Sequence, residues 1–126
     1  MTTRFDSLLP AAAAKRAGDA LLSSIVAVVV EPGPLRSLAR VYGEIDLDDA
    51  DGLRRDLAAA LDSSREGLDV DLSGVIFCDS QGLHLLVDLH HRALGAGKSL
   101  VLTALSRPVA RLVDVTGARE VLTTGP

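Results

Sequence analysis

A serine, a histidine and an aspartate recur at four-residue intervals in the second half of the chain: Ser80, His84 and Asp88. On a helix, that spacing places the three side chains along one face. Their order is that of a nucleophile, a general base and an orienting acid. Against a serine hydrolase stand the missing Gly-x-Ser-x-Gly elbow, the lack of an identifiable oxyanion hole and a face that reads as solvated. His84 then reads as a surface residue. His90 falls among Leu83, Leu86, Val87 and Leu94 and is expected to pack against the core, with His91 at the border of that stripe. No spacing among the three histidines, Cys78 and nearby acids matches a zinc site. Cys78 reads as a small buried hydrophobe, and neither a metal nor a cofactor is expected.

The same serine suits a second chemistry. Val70 to Leu83 reads as a buried strand, a short connection and an Asp79-Ser80 pair at the start of a helix. Unpaired backbone N–H groups and the helix dipole favour negative charge there, so Ser80 is a plausible phosphate acceptor. A phosphate would add roughly −1.5 to −2 charges beside Asp79 and turn a mildly acidic contact into a repulsive one. The plainer reading of Asp79 or Ser80 is an N-cap, worth about 1 kcal/mol. Gly82 costs helix propensity and leaves the first turn without a side chain, so a partner could approach closely. Chemistry alone leaves both readings open. Leu85 is expected on the polar face near Arg92, where it would offer an apolar contact one turn from Ser80. Gly43-Glu44-Ile45-Asp46, at the end of an expected strand, is a further candidate surface.

These residues need a scaffold. Ile25 to Val30 is a β-branched run and reads as a strand. Glu31-Pro32-Gly33-Pro34 is a turn signal, and Ala39 to Ile45 reads as a second strand, antiparallel to the first. Asp48 or Asp49 is expected to cap a helix reaching Leu61, with Ala50, Leu53, Leu57, Ala60 and Leu61 on its buried face. Leu68 to Leu72 follows as a third strand. A helix from Asp79 or Ser80 to about Leu94 ends at Gly95 and Gly97. Ser99 to Ala104 is a fourth strand, and Pro108 opens a short helix that Gly117 ends. Val121-Leu122 is expected as a last edge strand. The order predicts an α/β fold: a mixed sheet with an opening antiparallel hairpin, then parallel βαβ units with helices packed on it.

Bulk properties narrow the function. The 126 residues, 48% hydrophobic and 24% charged, suit one folded domain. Phe5, Phe77 and Tyr42 are the only aromatics, so the core must be aliphatic. A net charge of −4 without a Lys/Arg cluster argues against nucleic acid and anionic membranes. The longest apolar run is too short to span a bilayer, and a lone cysteine fits a reducing compartment. Asp6 and Asp19 interrupt the Ala-rich residues 1–24, so an arm rather than a signal peptide is expected there, and the cytoplasm is the expected location.

The motifs in this order resemble the STAS domain, specifically the small bacterial anti-sigma factor antagonists, over residues 25–124 of a domain placed at 25–126. Gly43-Glu44-Ile45-Asp46 resembles that family's Gly-Glu-(Leu/Ile)-Asp signature. Val70 to Val75 followed by Asp79-Ser80-Gln81-Gly82-Leu83 resembles its strand and phosphorylation loop. Arg107-Pro108-Val109 and Leu112 to Gly117 resemble its last helix. Gln81 stands where many members carry a second hydroxyl, and His84 occupies a position that is often small. The resemblance implies a non-enzymatic switch that binds an anti-sigma factor, often a serine kinase, and so frees a sigma factor. That kinase would use ATP to phosphorylate Ser80 and weaken the complex, and a phosphatase would reverse it. Asp46, Asp79, Ser80, Gln81, Gly82, His84 and Leu85 would form the partner surface. A STAS module in another assembly, stressosome-like or accessory to lipid transport, is the alternative.

Overall fold

The computed structural model describes residues 26–46 and 50–124. The expected arm at residues 1–24 and the expected cap at Asp48 or Asp49 lie outside the described residues. The β-branched run forms strand β1 (Val26–Glu31), which turns at Pro32-Gly33-Pro34 into β2 (Arg36–Ile45). The two pair antiparallel, from Val26 opposite Gly43 to Glu31 opposite Leu38. Helix α1 (Ala50–Ser63), strand β3 (Gly67–Cys78), helix α2 (Ser80–Gly95), strand β4 (Ser99–Leu105) and helix α3 (Arg107–Thr116) follow in strict alternation. A 3₁₀ turn at Ala118–Glu120 leads to a two-residue strand β5, Thr123–Thr124.

The sheet runs β1-β2-β3-β4-β5, parallel from β2 onward. Every crossover therefore steps in the same direction. Right-handed connections then place α1, α2 and α3 on one face of the sheet. Burial follows that geometry. Ala39, Val41, Leu68, Val70, Leu72, Leu100 and Leu102 point into one core with Leu53, Leu57 and Leu61 of α1 and Leu86 and Leu89 of α2. Each such leucine contributes roughly 1.5–3 kcal/mol by leaving water. The alternate residues of β1 to β3 form the opposite face, where Arg36 pairs with Asp69 at 2.9 Å and Arg40 pairs with Glu31. The mixed sheet with its opening hairpin is the fold the sequence predicts.

The elements differ from expectation mainly at their ends. β3 does not stop at Leu72 before a connection; it continues to Cys78 because β2 keeps pairing with it, Tyr42 opposite Gly74 and Ile45 opposite Cys78. The register slips on the way, between Arg40 and Tyr42 and again between Gly43 and Glu44. Beside the first slip, the Asp71 carboxylate accepts hydrogen bonds from the Ser73 N–H (2.8 Å) and hydroxyl (2.6 Å). Gly43 sits at the second slip with φ 101°, a conformation that a side chain disfavours, which accounts for glycine in the Gly-Glu-Ile-Asp segment. The final edge strand is Thr123–Thr124 rather than Val121-Leu122, because Leu122 is drawn into the core. Helix α3 closes as expected on Gly117, in the left-handed conformation at φ 77°.

Candidate functional site

Because β2, β3 and β4 are parallel, their carboxyl ends share one edge of the sheet. Ile45 and Cys78 are in register there, so Asp46 and Asp79 leave neighbouring strands side by side. The Asp79 N–H donates to the Ile45 carbonyl at 3.2 Å and ties the start of α2 to the end of β2. In open α/β sheets, this is the edge where ligands and partners meet loops and helix N-termini.

The helix cap belongs to Asp79. Its backbone is extended, and one carboxylate oxygen accepts from the N–H groups of Gln81 (2.9 Å) and Gly82 (3.1 Å). This satisfies two of the orphan donors of the first turn. Ser80 is thereby relieved of capping. It is the first residue of α2, exposed at the surface, followed by an exposed Gln81.

Gly82 and Leu85 do not lie where the sequence reading put them. Gly82 is buried, and a Cβ there would meet Cys78 Sγ and Ile45 Cγ2 at 2.7 Å each. The close approach it permits is internal: α2 packs against the ends of β2 and β3. Leu85 is fully buried rather than on the polar face. The buried arc of α2 is centred on Gly82, Leu86, Leu89 and Ala93, because the helix lies on the sheet between α1 and α3. It takes in Leu85 and leaves Leu94, placed in the stripe by its sequence, 56% exposed. His90 is buried as expected, whereas His91 faces outward.

His84 and Asp88 follow Ser80 along the exposed side of α2. Asp88 Oδ2 accepts from Arg54 of α1 at 2.9 Å, so its carboxylate is engaged across the helix pair rather than with His84. A second exposed pair, Arg92 with Asp62 at 2.6 Å, spans the same helices, and its hydrogen bond holds the Asp62 carboxyl below the usual range. Cys78 lies under the turn. Burial, followed by the Asp79 charge, pushes its thiol up to about 12, so it stays protonated and inert near neutrality.

Two exposed side chains near the end of β3 escaped the sequence reading. Ile76 is 67% and Phe77 48% exposed. Val75-Ile76-Phe77-Cys78 is an unbroken apolar stretch with no mark of exposure, yet the partner strand β4 pairs with β3 no further than Leu72, opposite Leu105. The preceding Ser73-Gly74, poor strand formers, is the one sequence cue to that change.

Residues 36–124 match the family model described as "Mlab, STAS domain". The chain belongs to the STAS domain family. Among solved structures, an anti-sigma factor antagonist from Mycobacterium paratuberculosis is 28% identical, with a TM-score of 0.71 over 81% of this chain and 86% of that one. The anti-sigma factor antagonist SpoIIAA in its unphosphorylated form shares the fold at 17% identity and a TM-score of 0.66, over 79% of this chain and 89% of that one. The Bacillus cell fate determinant SpoIIAA in the phosphorylated form does so at 16% identity and 0.61, over 79% and 92%. As a STAS domain, this chain carries its Asp79-Ser80 turn at the sheet's carboxyl edge. Among its described residues, no helix is long and apolar enough to cross a membrane.

Proposed function

We propose that this STAS domain is an anti-sigma factor antagonist switched by phosphorylation of Ser80. The observation that carries the reading is the division of labour at the head of α2: Asp79 caps the helix, and Ser80 presents its hydroxyl at an exposed position beside it. The similarity to an anti-sigma factor antagonist at 28% identity supports the same reading. In its unmodified form the domain binds an anti-sigma factor that is also a serine kinase, and so frees a sigma factor. The kinase transfers the γ-phosphoryl group of ATP to Ser80 Oγ, which loses its proton; ADP leaves. The added charge stands next to Asp79 and repels the partner without unfolding the helix. A phosphatase hydrolyses the ester and restores binding. Asp46, Gln81 and His84 complete the contact surface, and the protein works in the cytoplasm as a substrate rather than a catalyst.

The test uses purified kinase and full-length chain. Ser80→Ala should keep partner binding and lose phosphorylation, whereas Ser80→Asp should weaken binding by about tenfold or more. Equal phosphorylation of Ser80→Ala and the parent would remove Ser80 from this role. A partner that binds without ever modifying Ser80 would favour a STAS module serving another assembly.

A further inference from the structure

Helix α3 is locally ill-suited to standing alone. Arg107 and Arg111 are one turn apart on its exposed side, a like-charged pair. They occupy the N-terminal half, where the helix dipole is already positive, and the first turn holds no acidic residue. No ion pair of either arginine is present among the described residues, although the chain as a whole is acidic. The helix is also more apolar than its core contact requires. Val109 and Val113 face the interior, while Pro108, Leu112 and Val115 form a second stripe that is only partly covered. Val115 is 78% exposed.

That second stripe lines a groove of about 480 Å³, whose other wall is Phe77 and Cys78 at the end of β3. Arg107 and Arg111 line it too, and no carboxylate does. The groove adjoins the Asp79-Ser80 turn directly through Cys78. We infer that it receives an acidic segment of the partner protein: an apolar side chain seated among Phe77, Leu112 and Val115, with a carboxylate alongside paired to Arg107 and Arg111. The inference rests on reading the Ser80 end as a partner surface, and it adds the chemistry of what docks there. Two uncompensated arginines beside an apolar slot match a carboxylate next to a Leu, Ile or Phe. The unfavourable placement of both charges within the chain is the expected trace of residues kept for binding rather than for stability.

The experiment pans a random peptide library displayed on phage against the full-length chain and titrates the enriched peptides by NMR. Enriched peptides should combine Asp or Glu with a large apolar residue and shift the Leu112 and Val115 methyl signals. They should lose about tenfold or more in affinity for Arg107→Glu/Arg111→Glu. The melting temperature of that variant should stay level or rise, since the new charges suit the helix dipole. Should it fold poorly, Arg107→Gln/Arg111→Gln gives the same readout. Enrichment of basic peptides, no enrichment, or signals mapping elsewhere would overturn the inference. So would binding of phosphatidylglycerol vesicles that the double variant loses, or a dimer that Val115→Ser dissolves. None of these outcomes depends on phosphate transfer to Ser80, so each proposal can fail alone.

Discussion

Cys78 and Ser80 are two residues apart and opposite in temperament. The thiol is buried beneath the turn and the hydroxyl is exposed. With the thiol pushed up to about 12 from 9.0, its thiolate fraction at pH 8 falls about a thousandfold relative to the unfolded chain. Iodoacetamide at that pH should leave Cys78 unmodified in the native protein and alkylate it readily in urea; equal rates would show the thiol to be open. The same burial sets a pH dependence. Since the folded value lies above the unfolded one, the neutral thiol's contribution is fully present below about 9.0 and is lost as pH rises toward 12. Cys78→Ala should flatten that alkaline limb of a stability profile measured by urea unfolding.

At the scale of elements, α2 shows what a sequence carries and what it withholds. Its start and stop were legible because capping and termination are local: Asp79 before the helix, Gly95 and Gly97 at its end. Its orientation was not, because the buried arc depends on α1 and α3 flanking it, and Leu83, Leu85, Leu86, Leu89 and Leu94 tolerate more than one rotation. Leu85 and Leu94 exchanged places for that reason. The tail of β3 was illegible on similar grounds, since pairing with β2 carries a strand through Ser73-Gly74 where propensity alone would end it. Ser80 and Asp79 were legible as a pair, but only the structure divides their roles. Asp79→Ala should therefore lower stability by about 0.5–2 kcal/mol, with Asp79→Asn recovering most of it. Thermal melts decide this, and a Ser80→Ala chain that lost as much would return the cap to the serine.

At the scale of the molecule, the sheet has two unlike edges. At the amino ends of β2, β3 and β4, Arg36 donates to the Asp69 carboxylate (2.9 Å), the Ser99 hydroxyl (2.7 Å) and the carbonyls of Leu68 (3.2 Å) and Ser99 (3.3 Å). One guanidinium thus fastens three strands, a use for which lysine lacks the geometry. At the opposite edge stand Ser80, Phe77 and Arg107, with partly exposed apolar surface and no comparable clamp among the described residues. Arg36→Ala should cost roughly 1.5–3 kcal/mol in urea unfolding, by analogy with hydrogen bonds to charged groups. If Ser80 is phosphorylated as proposed, the folded variant should accept phosphate there at the parent rate. A rate that fell in step with stability would mean the two edges are not independent.

The cap itself bears on how durable a phosphate mark would be. Asp79 already holds the N–H groups of Gln81 and Gly82. A phosphoryl group arriving on Ser80 would find those donors taken and would remain in water, solvated and unsheltered. An ester left in the open would be as accessible to a phosphatase as the hydroxyl is to a kinase, and the signal's lifetime would then be set by the balance of two opposing enzymes rather than by the fold that carries it.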